Sequence, residues 1–75
     1  MSSQNNLPVG RARIARNLRD WRATRGMSQD KLSELSGFTQ AYISQIENGT
    51  CNIRIDSMEK LAEVLDIDLV ELLVR

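Results

Sequence analysis

The chain has 75 residues with ten basic and ten acidic side chains, so its formal net charge is zero. This length makes one domain of marginal stability, and we expect oligomerisation to support it. The single cysteine, Cys51, excludes an internal disulfide and suits a reducing cytoplasm, and the lack of histidine argues against a zinc site. The N-terminus does not resemble a signal peptide, and no apolar run approaches the roughly 20 residues that span a bilayer.

The hydrophobic pattern predicts an all-α fold of five helices with no strand. Residues 1–8 are polar and contain the only proline, which is typical of a flexible arm. A first helix is expected over residues 9–25, followed by Gly26 in the left-handed position. The residues on its buried stripe are Leu7, Ile14, Leu18 and Trp21.

Capping residues mark two short helices within residues 29–48. Ser28 caps the second helix and Thr39 caps the third. Gly37 ends the second helix in a conformation that glycine adopts without strain, and Gly49 ends the third.

A fourth helix is predicted over residues 55–65. A short fifth helix follows, with Asp68 as its cap and Glu71 in the capping-box position three residues later. The apolar residues expected to face the core from the second and fourth helices are Leu32, Leu35, Ile55, Met58, Leu61, Ala62 and Leu65.

The third helix has an unusual polar face. Its apolar side is formed by Tyr42, Ile43 and Ile46. The opposite side carries only small or uncharged polar side chains, namely Gln40, Ala41, Ser44, Gln45 and Asn48. A solvated helix face ordinarily carries Lys and Glu, whereas this composition suits contact with base edges in a DNA major groove.

The zero net charge conceals a strong asymmetry. Residues 1–31 hold seven cations and two carboxylates, a net charge of +5, and residues 32–75 hold three cations and eight carboxylates, a net charge of −5. The basic part is suited to meet phosphate while the acidic part faces away. The same arginines equally suit a solvated helix, so this feature alone does not decide between the two interpretations.

Two helices of about eight and nine residues joined at Gly37 follow the helix-turn-helix plan. Three stretches, LRDWR-x2-RG-x-SQ, KLSELSGFTQAYISQIENG and NIRIDSMEKLAEVLDIDLVELL, resemble the Cro/repressor-type (xenobiotic-response-element-like) helix-turn-helix family over roughly residues 14–73. Ser33 and Arg54 depart from its pattern, which usually has alanine and often a capping serine there. The resemblance implies a compact five-helix repressor-like DNA-binding domain over residues 9–75.

The resemblance also implies roles for single residues. Gln40 matches the position that often reads adenine in related repressors, which a glutamine amide does with two hydrogen bonds. Gln29 matches a glutamine that bonds a phosphate and braces the reading glutamine. Ala41 is placed to touch a thymine methyl group, and Ser44 and Gln45 project into the same groove. The alternative for each is plain helix surface, and it weighs more for Ser44 than for Gln40.

Phosphate contacts are predicted at helix starts and in the loop after the third helix. The free amides at Gln29 and Gln40 lie at positive helix ends. The family also binds the DNA backbone through this loop, and Arg54 is the only cation nearby, with a solvated arginine as the alternative. The full set of predicted DNA-binding residues is Gln29, Thr39, Gln40, Ala41, Ser44, Gln45, Asn48, Thr50, Asn52 and Arg54.

Arg22 and Glu47 match an arginine and a glutamate that bridge the first and third helices in related repressors. Arg22 lies at the edge of the apolar stripe and Glu47 near the inward side of its helix, which agrees with that role. We therefore predict a structural ion pair that positions the third helix.

The last helix is apolar around its whole circumference, and a short helix cannot bury all of this surface against its own domain. We predict that it forms a homodimer interface. Two recognition helices would then face major grooves about 34 Å apart on a palindromic site. The residues predicted for this interface are Ile67, Leu69, Val70, Leu72, Leu73 and Val74.

These features predict a sequence-specific regulator of transcription that binds double-stranded DNA as a homodimer and has no enzymatic activity, cofactor or small-molecule ligand. Restriction–modification controller proteins and small phage repressors are similar in length. The alternative is an antitoxin-like protein-interaction module of the same fold, which would need a second exposed apolar surface or a longer tail. A helical scaffold without a DNA role would leave the uncharged face unexplained.

Overall fold

The computed structural model describes residues 9–74, and the predicted arm over residues 1–8 lies outside them. Four α-helices are present: α1 (Val9–Thr24), α2 (Gln29–Ser36), α3 (Gln40–Asn48) and α4 (Ile55–Leu65). A 3-10 helix, Leu69–Leu72, follows. Residues 9–74 contain no strand, which confirms the all-α fold class.

The prediction of a fifth α-helix is wrong. Asp68 does act as a cap, accepting a hydrogen bond from the Val70 amide at 2.9 Å, but only a four-residue 3-10 turn follows it. The Asn17 side chain of α1 donates to the carbonyl oxygens of Leu72, at 3.0 Å, and Val74. These tertiary hydrogen bonds tie the end of the segment to α1.

The predicted caps fix the ends of α2 and α3. Ser28 accepts a hydrogen bond from the Lys31 amide at 3.0 Å, and Thr39 accepts one from the Tyr42 amide at 3.1 Å. Gly37 lies between the helices with φ of 81°. No atom lies within 4 Å of the place where a Cβ would stand, so the backbone conformation alone favours glycine at this turn.

The core lies where all five elements meet. Its buried members are Ile14, Leu18, Leu32, Ile43, Ile46, Met58, Leu61, Ala62, Leu65 and Leu72. The predictions for Leu35 and Ile55 are wrong, since these side chains are 45% and 55% exposed. Leu32 and Ser36 occupy the buried side of α2, and Ile55 is the first residue of α4, where the chain arrives from a surface loop.

Helix α1 is central to the packing. It contacts α3 and the 3-10 turn, while α2 contacts α3 and α4, and α4 contacts the 3-10 turn. The third helix is therefore held from behind by α1 and α2. Within residues 9–74, no helix combines the length and the hydropathy needed to cross a bilayer.

Candidate nucleic-acid interface

The outer face of α3 is exposed and uncharged. Gln40, Ala41, Gln45 and Asn48 are exposed and Ser44 is half-buried. Glu47 is the only acidic residue in α3, which has no basic residue, and it is 2% exposed, so the outer face carries no formal charge. Amide and hydroxyl groups on such a face both donate and accept hydrogen bonds, which suits the mixed pattern of base edges.

Hydrogen bonds within the turn fix α3 relative to α2. The Ser33 hydroxyl donates to the Phe38 carbonyl at 2.5 Å, and the Phe38 amide donates to the Ser36 hydroxyl at 3.2 Å. The serine that departs from the family pattern therefore closes the turn with a bond that alanine cannot make. Phe38 also packs edge-to-face on Tyr42, with ring centroids 5.2 Å apart.

A second contact holds α3 against α4. The Tyr42 hydroxyl donates to the hydroxyl of Ser57 at 3.0 Å, and Ser57 is buried. The phenol group therefore bonds within the domain and links the two helices directly.

Glu47 joins α3 to both α1 and α2. Arg22 donates from Nε to Oε2 at 2.7 Å and from Nη2 to Oε1 at 3.0 Å, a two-point contact that fixes both planar groups. Gln29 donates from Nε2 to Oε1 at 2.9 Å, and Arg19 donates to the Glu47 carbonyl oxygen. Three side chains from two helices thus converge on one residue near the end of α3, and we call this set the Glu47 network.

The electrostatics of the Glu47 network favour the ionised pair. The hydrogen bonds to Glu47 and the charge of that carboxylate raise the pKa of Arg22 above its ordinary value, although partial burial opposes the rise. Arg22 also donates from Nη1 to the Met27 carbonyl at 2.9 Å. A buried carboxylate that loses such a partner typically costs about 3–5 kcal/mol, so these residues control the placement of α3.

The side chain of Gln29 is placed differently from the expectation. Its amide donates to Glu47 rather than to Gln40, the side chain it was predicted to brace. Gln29 therefore acts near the C-terminal end of α3, while the exposed Gln40 side chain lies at the other end.

The loop after α3 contains predicted phosphate contacts with different surroundings. Thr50 donates from both its amide and its hydroxyl to the Gln45 carbonyl, at 3.0 Å and 3.3 Å, so its two donors already have a partner. Asn52 is exposed and accepts a hydrogen bond from Arg11. Arg54 is exposed and makes no side-chain cap on α4.

Sequence reasoning did not single out Arg11, Arg19 or Asn17. A signal for the two arginines existed, because Arg11, Arg19 and Arg22 fall within about 80° on a helical wheel. No comparable signal marks Asn17, whose partners are 55 and 57 residues away.

The C-terminal segment, residues 67–74, divides into buried and exposed parts. Leu72 is fully buried in the core of its own domain, so it is not available as a surface contact and the predicted interface is corrected at this residue. Ile67 and Leu69 are partly buried against the core, and Val70, Leu73 and Val74 are exposed.

Residues 18–72 match the profile of a family described as helix-turn-helix. The chain is 44% identical over 57 residues to y4dL, an uncharacterized HTH-type transcriptional regulator of Sinorhizobium fredii. That match includes 76% of this chain, which spans 29% of the length of that relative.

Two solved structures have a similar fold. The restriction-modification controller protein C.AhdI from Aeromonas hydrophila aligns with a TM-score of 0.80 and 35% identity, over 83% of this chain and 94% of that chain. SinR, the master regulator for biofilm formation, solved in complex with DNA, aligns with a TM-score of 0.77 and 32% identity, over 81% of this chain and 98% of that chain. On the match over residues 18–72, the chain belongs to the helix-turn-helix family.

Proposed function

We propose that this protein is a transcriptional regulator that binds double-stranded DNA sequence-specifically, with α3 as its recognition helix. The observation that carries the proposal is the exposed, uncharged polar face of α3, which the bonds to the buried Glu47 hold in place. The Glu47 network holds the amide and hydroxyl groups of this face in fixed positions, and base recognition requires groups in fixed positions. The similarity to a controller protein and to DNA-bound SinR supports the proposal.

The proposed base contacts come from the outer face of α3. Gln40, at the first position of the helix, bonds adenine in the major groove through its amide, and Ala41 packs on a thymine methyl group. Ser44, Gln45 and Asn48 lie farther along the same face. The backbone amides at Gln29 and Gln40, together with the Thr39 start of α3, the loop residue Asn52, and Arg54, supply phosphate contacts. Thr50 is left out of this set, since both of its donors bond to the Gln45 carbonyl.

The proposed assembly is a homodimer on a palindromic operator. Val70, Leu73 and Val74 expose apolar surface next to the core, which favours burial against a second copy. A two-fold axis at this segment would present two recognition helices to successive major grooves about 34 Å apart. We assign residues 9–75 to this DNA-binding and dimerisation domain, with residues 1–8 as an arm, and place the protein in the cytoplasm with its DNA.

The test is a titration against two DNAs over a range of salt concentrations. A preferred site is first selected from a random double-stranded pool, and its affinity is compared with that of a scrambled duplex of the same length. We expect a preference of about 10³-fold or more and a steep fall in affinity with rising salt. Equal affinity for both duplexes at every salt concentration would contradict the proposal.

An antitoxin-like interaction module is the second candidate. The exposure of Leu35 and Ile55, outside the C-terminal segment, gives this alternative the additional apolar surface that it needs. Such a module would bind its protein partner with Leu35 and Ile55 at the interface, so substituting them would weaken that binding and leave DNA affinity unchanged. The preference for a selected DNA site separates the two candidates.

A further inference from the structure

Arg11 and Asn52 lie together beside the end of the recognition helix. Arg11 is in the first turn of α1 and Asn52 is in the loop between α3 and α4, and Nη2 of the arginine donates to Oδ1 of the asparagine. The contact joins residues 41 apart in the chain. It therefore places a cation beside this loop, near which the sequence indicated only Arg54.

The register of α1 supports this placement independently. Arg19 and Arg22, on the same face of α1 as Arg11, both bond to Glu47 near the end of α3. Eight residues of helix separate Arg11 from Arg19, or about 12 Å along the axis. From Arg19 to Arg11, this face of α1 runs alongside the chain from Glu47 to Asn52. The Arg11 contact therefore agrees with the packing of the whole helix.

The chemistry of this pair suits an anion. The carboxamide oxygen of Asn52 faces Arg11, and an asparagine side chain has no other acceptor. What the pair presents outward is the amide group of Asn52 and further N–H groups of the guanidinium, all of them hydrogen-bond donors. A permanently charged guanidinium with an adjacent amide donor is the complement of a phosphate group, whose oxygens only accept.

The neighbouring loop residues are less suited to bind an anion than the Arg11–Asn52 pair. Both donors of Thr50 are directed to the Gln45 carbonyl, and the exposed Asn48 closes the outer face of α3. Asn52 lies four residues beyond Asn48 and is exposed. A DNA backbone that passes the end of the outer face would therefore contact Asn52 next.

We propose that Arg11 and Asn52 together bind a phosphate of the DNA backbone beside the groove read by α3. The inference rests on the proposed function, since it needs α3 to lie in the groove. It adds a residue of α1 to the DNA interface and assigns Arg11 the role of a sequence-independent contact, which fixes position without reading bases.

The main test is the salt dependence of binding by Arg11→Gln. Loss of one phosphate contact in each subunit should lower affinity for the selected operator and for scrambled DNA by the same factor, about tenfold per subunit. The slope of log affinity against log salt should become shallower by about one per subunit, or about two for the dimer. The preference between the two duplexes should stay as in the wild type.

Arg13→Gln is the matched control. Arg13 is exposed, lies two residues from Arg11 and points about 200° away around α1, and its substitution changes the net charge identically. We expect Arg13→Gln to keep the wild-type slope. Equal slopes for Arg11→Gln and Arg13→Gln would overturn the inference, because the effect would then be one of overall charge.

Asn52→Asp addresses a purely structural role. Aspartate retains an acceptor for Arg11, so the contact within the domain survives, but it replaces the amide donor with a negative charge. We expect unchanged thermal unfolding and an affinity loss on both duplexes at least as large as that of Arg11→Gln. Wild-type affinity for Asn52→Asp would overturn the inference even if Arg11→Gln proved unstable.

The outcomes separate this inference from the proposed function. Wild-type protein without any preference for a selected site contradicts the proposed function. Wild-type protein with that preference, together with an Arg11→Gln slope equal to that of Arg13→Gln, contradicts only the phosphate site.

Discussion

Helix α3, the proposed recognition helix, and the C-terminal segment are both presented at the surface, but they are fixed by different means. The outer face of α3 is polar and uncharged, and charge-assisted bonds to the buried Glu47 hold it in place. The C-terminal segment exposes apolar side chains, and it is held by the burial of Leu72 and by bonds from Asn17 and Arg16 to main-chain carbonyls.

This difference matches what each surface is proposed to bind. Hydrogen bonds to base edges depend on direction, so a small rotation of α3 would misalign every donor, and the two-point Arg22–Glu47 contact opposes such a rotation. Apolar burial is non-directional, so the C-terminal segment needs only to be held near its partner. Both surfaces are held by hydrogen bonds, but α3 has in addition a two-point bond between two charged planar groups, Arg22 and Glu47.

The largest effect is expected for Glu47→Ala. Removal of the carboxylate leaves Arg22 and Gln29 without their partner, and the free energy of unfolding should fall by about 3–5 kcal/mol. Urea unfolding at a fixed protein concentration measures this change, and DNA binding should be lost with it. Glu59→Ala, at an exposed position of α4, is the control and should unfold like the wild type. A Glu47→Ala variant as stable as that control would show that the network does not hold α3.

Leu73→Glu addresses the apolar surface. If Leu73 is buried on dimerisation, each of the two symmetric copies loses about 1.5 kcal/mol, so the dimer Kd should rise about 100-fold. Sedimentation equilibrium measures this constant. Leu35→Glu introduces the same charge at a residue of similar exposure on α2 and should leave the dimer unchanged. Equal dissociation constants for the two variants, or a wild-type monomer at micromolar concentration, would contradict the proposed interface.

Gln40→Ala addresses the outer face of α3 without touching its support. Loss of a two-point contact to a base should weaken operator binding by about 1–3 kcal/mol per half-site and relax the preference at one base position of each half-site. Repeating the selection from random DNA with the variant measures that preference. Stability should not change, since the Gln40 side chain is exposed. An unchanged selected sequence would remove Gln40 from the reading residues.

Tyr42→Phe should have the smallest effect. The change removes the bond to Ser57 between α3 and α4 but retains the ring packing on Phe38, so we expect a loss of about 1 kcal/mol in unfolding free energy. A double-mutant cycle with Ser57→Ala checks the assignment, because the two substitutions should be far from additive. Additive losses would mean that the hydroxyl groups do not stabilise each other.

The features that the sequence predicts well are local. Ser28 and Thr39 cap helices through amides three residues away, and Gly37 satisfies a backbone requirement at a single residue. These signals need no knowledge of the packing, so the bounds of α2 and α3 were predicted correctly, and those of α4 were predicted from its apolar periodicity. Gln40 and its neighbours were also placed on one exposed face by helical periodicity alone.

The features that the sequence does not predict depend on which elements meet. A helical wheel places Leu35 beside Leu32, but the neighbouring helices cover only part of a two-turn helix and leave Leu35 exposed. The partners of Arg11 and Asn17 are more than 40 residues away. The sequence also does not show that the Gln29 amide bonds to Glu47 and not to Gln40.

Helix α1 bonds to both the C-terminal segment and α3 through residues five positions apart. Asn17 bonds to the C-terminal segment, and Arg22 bonds to Glu47 of α3. In a dimer, the distance between the two outer faces of α3 would therefore depend on α1, because in each subunit this helix connects α3 to the C-terminal segment. Inserting a single residue between these positions would turn one contact set by about 100° and shift it by about 1.5 Å relative to the other. The spacing of the half-sites in the operator would then depend on the positions of Asn17 and Arg22 on α1 as much as on the dimer interface itself.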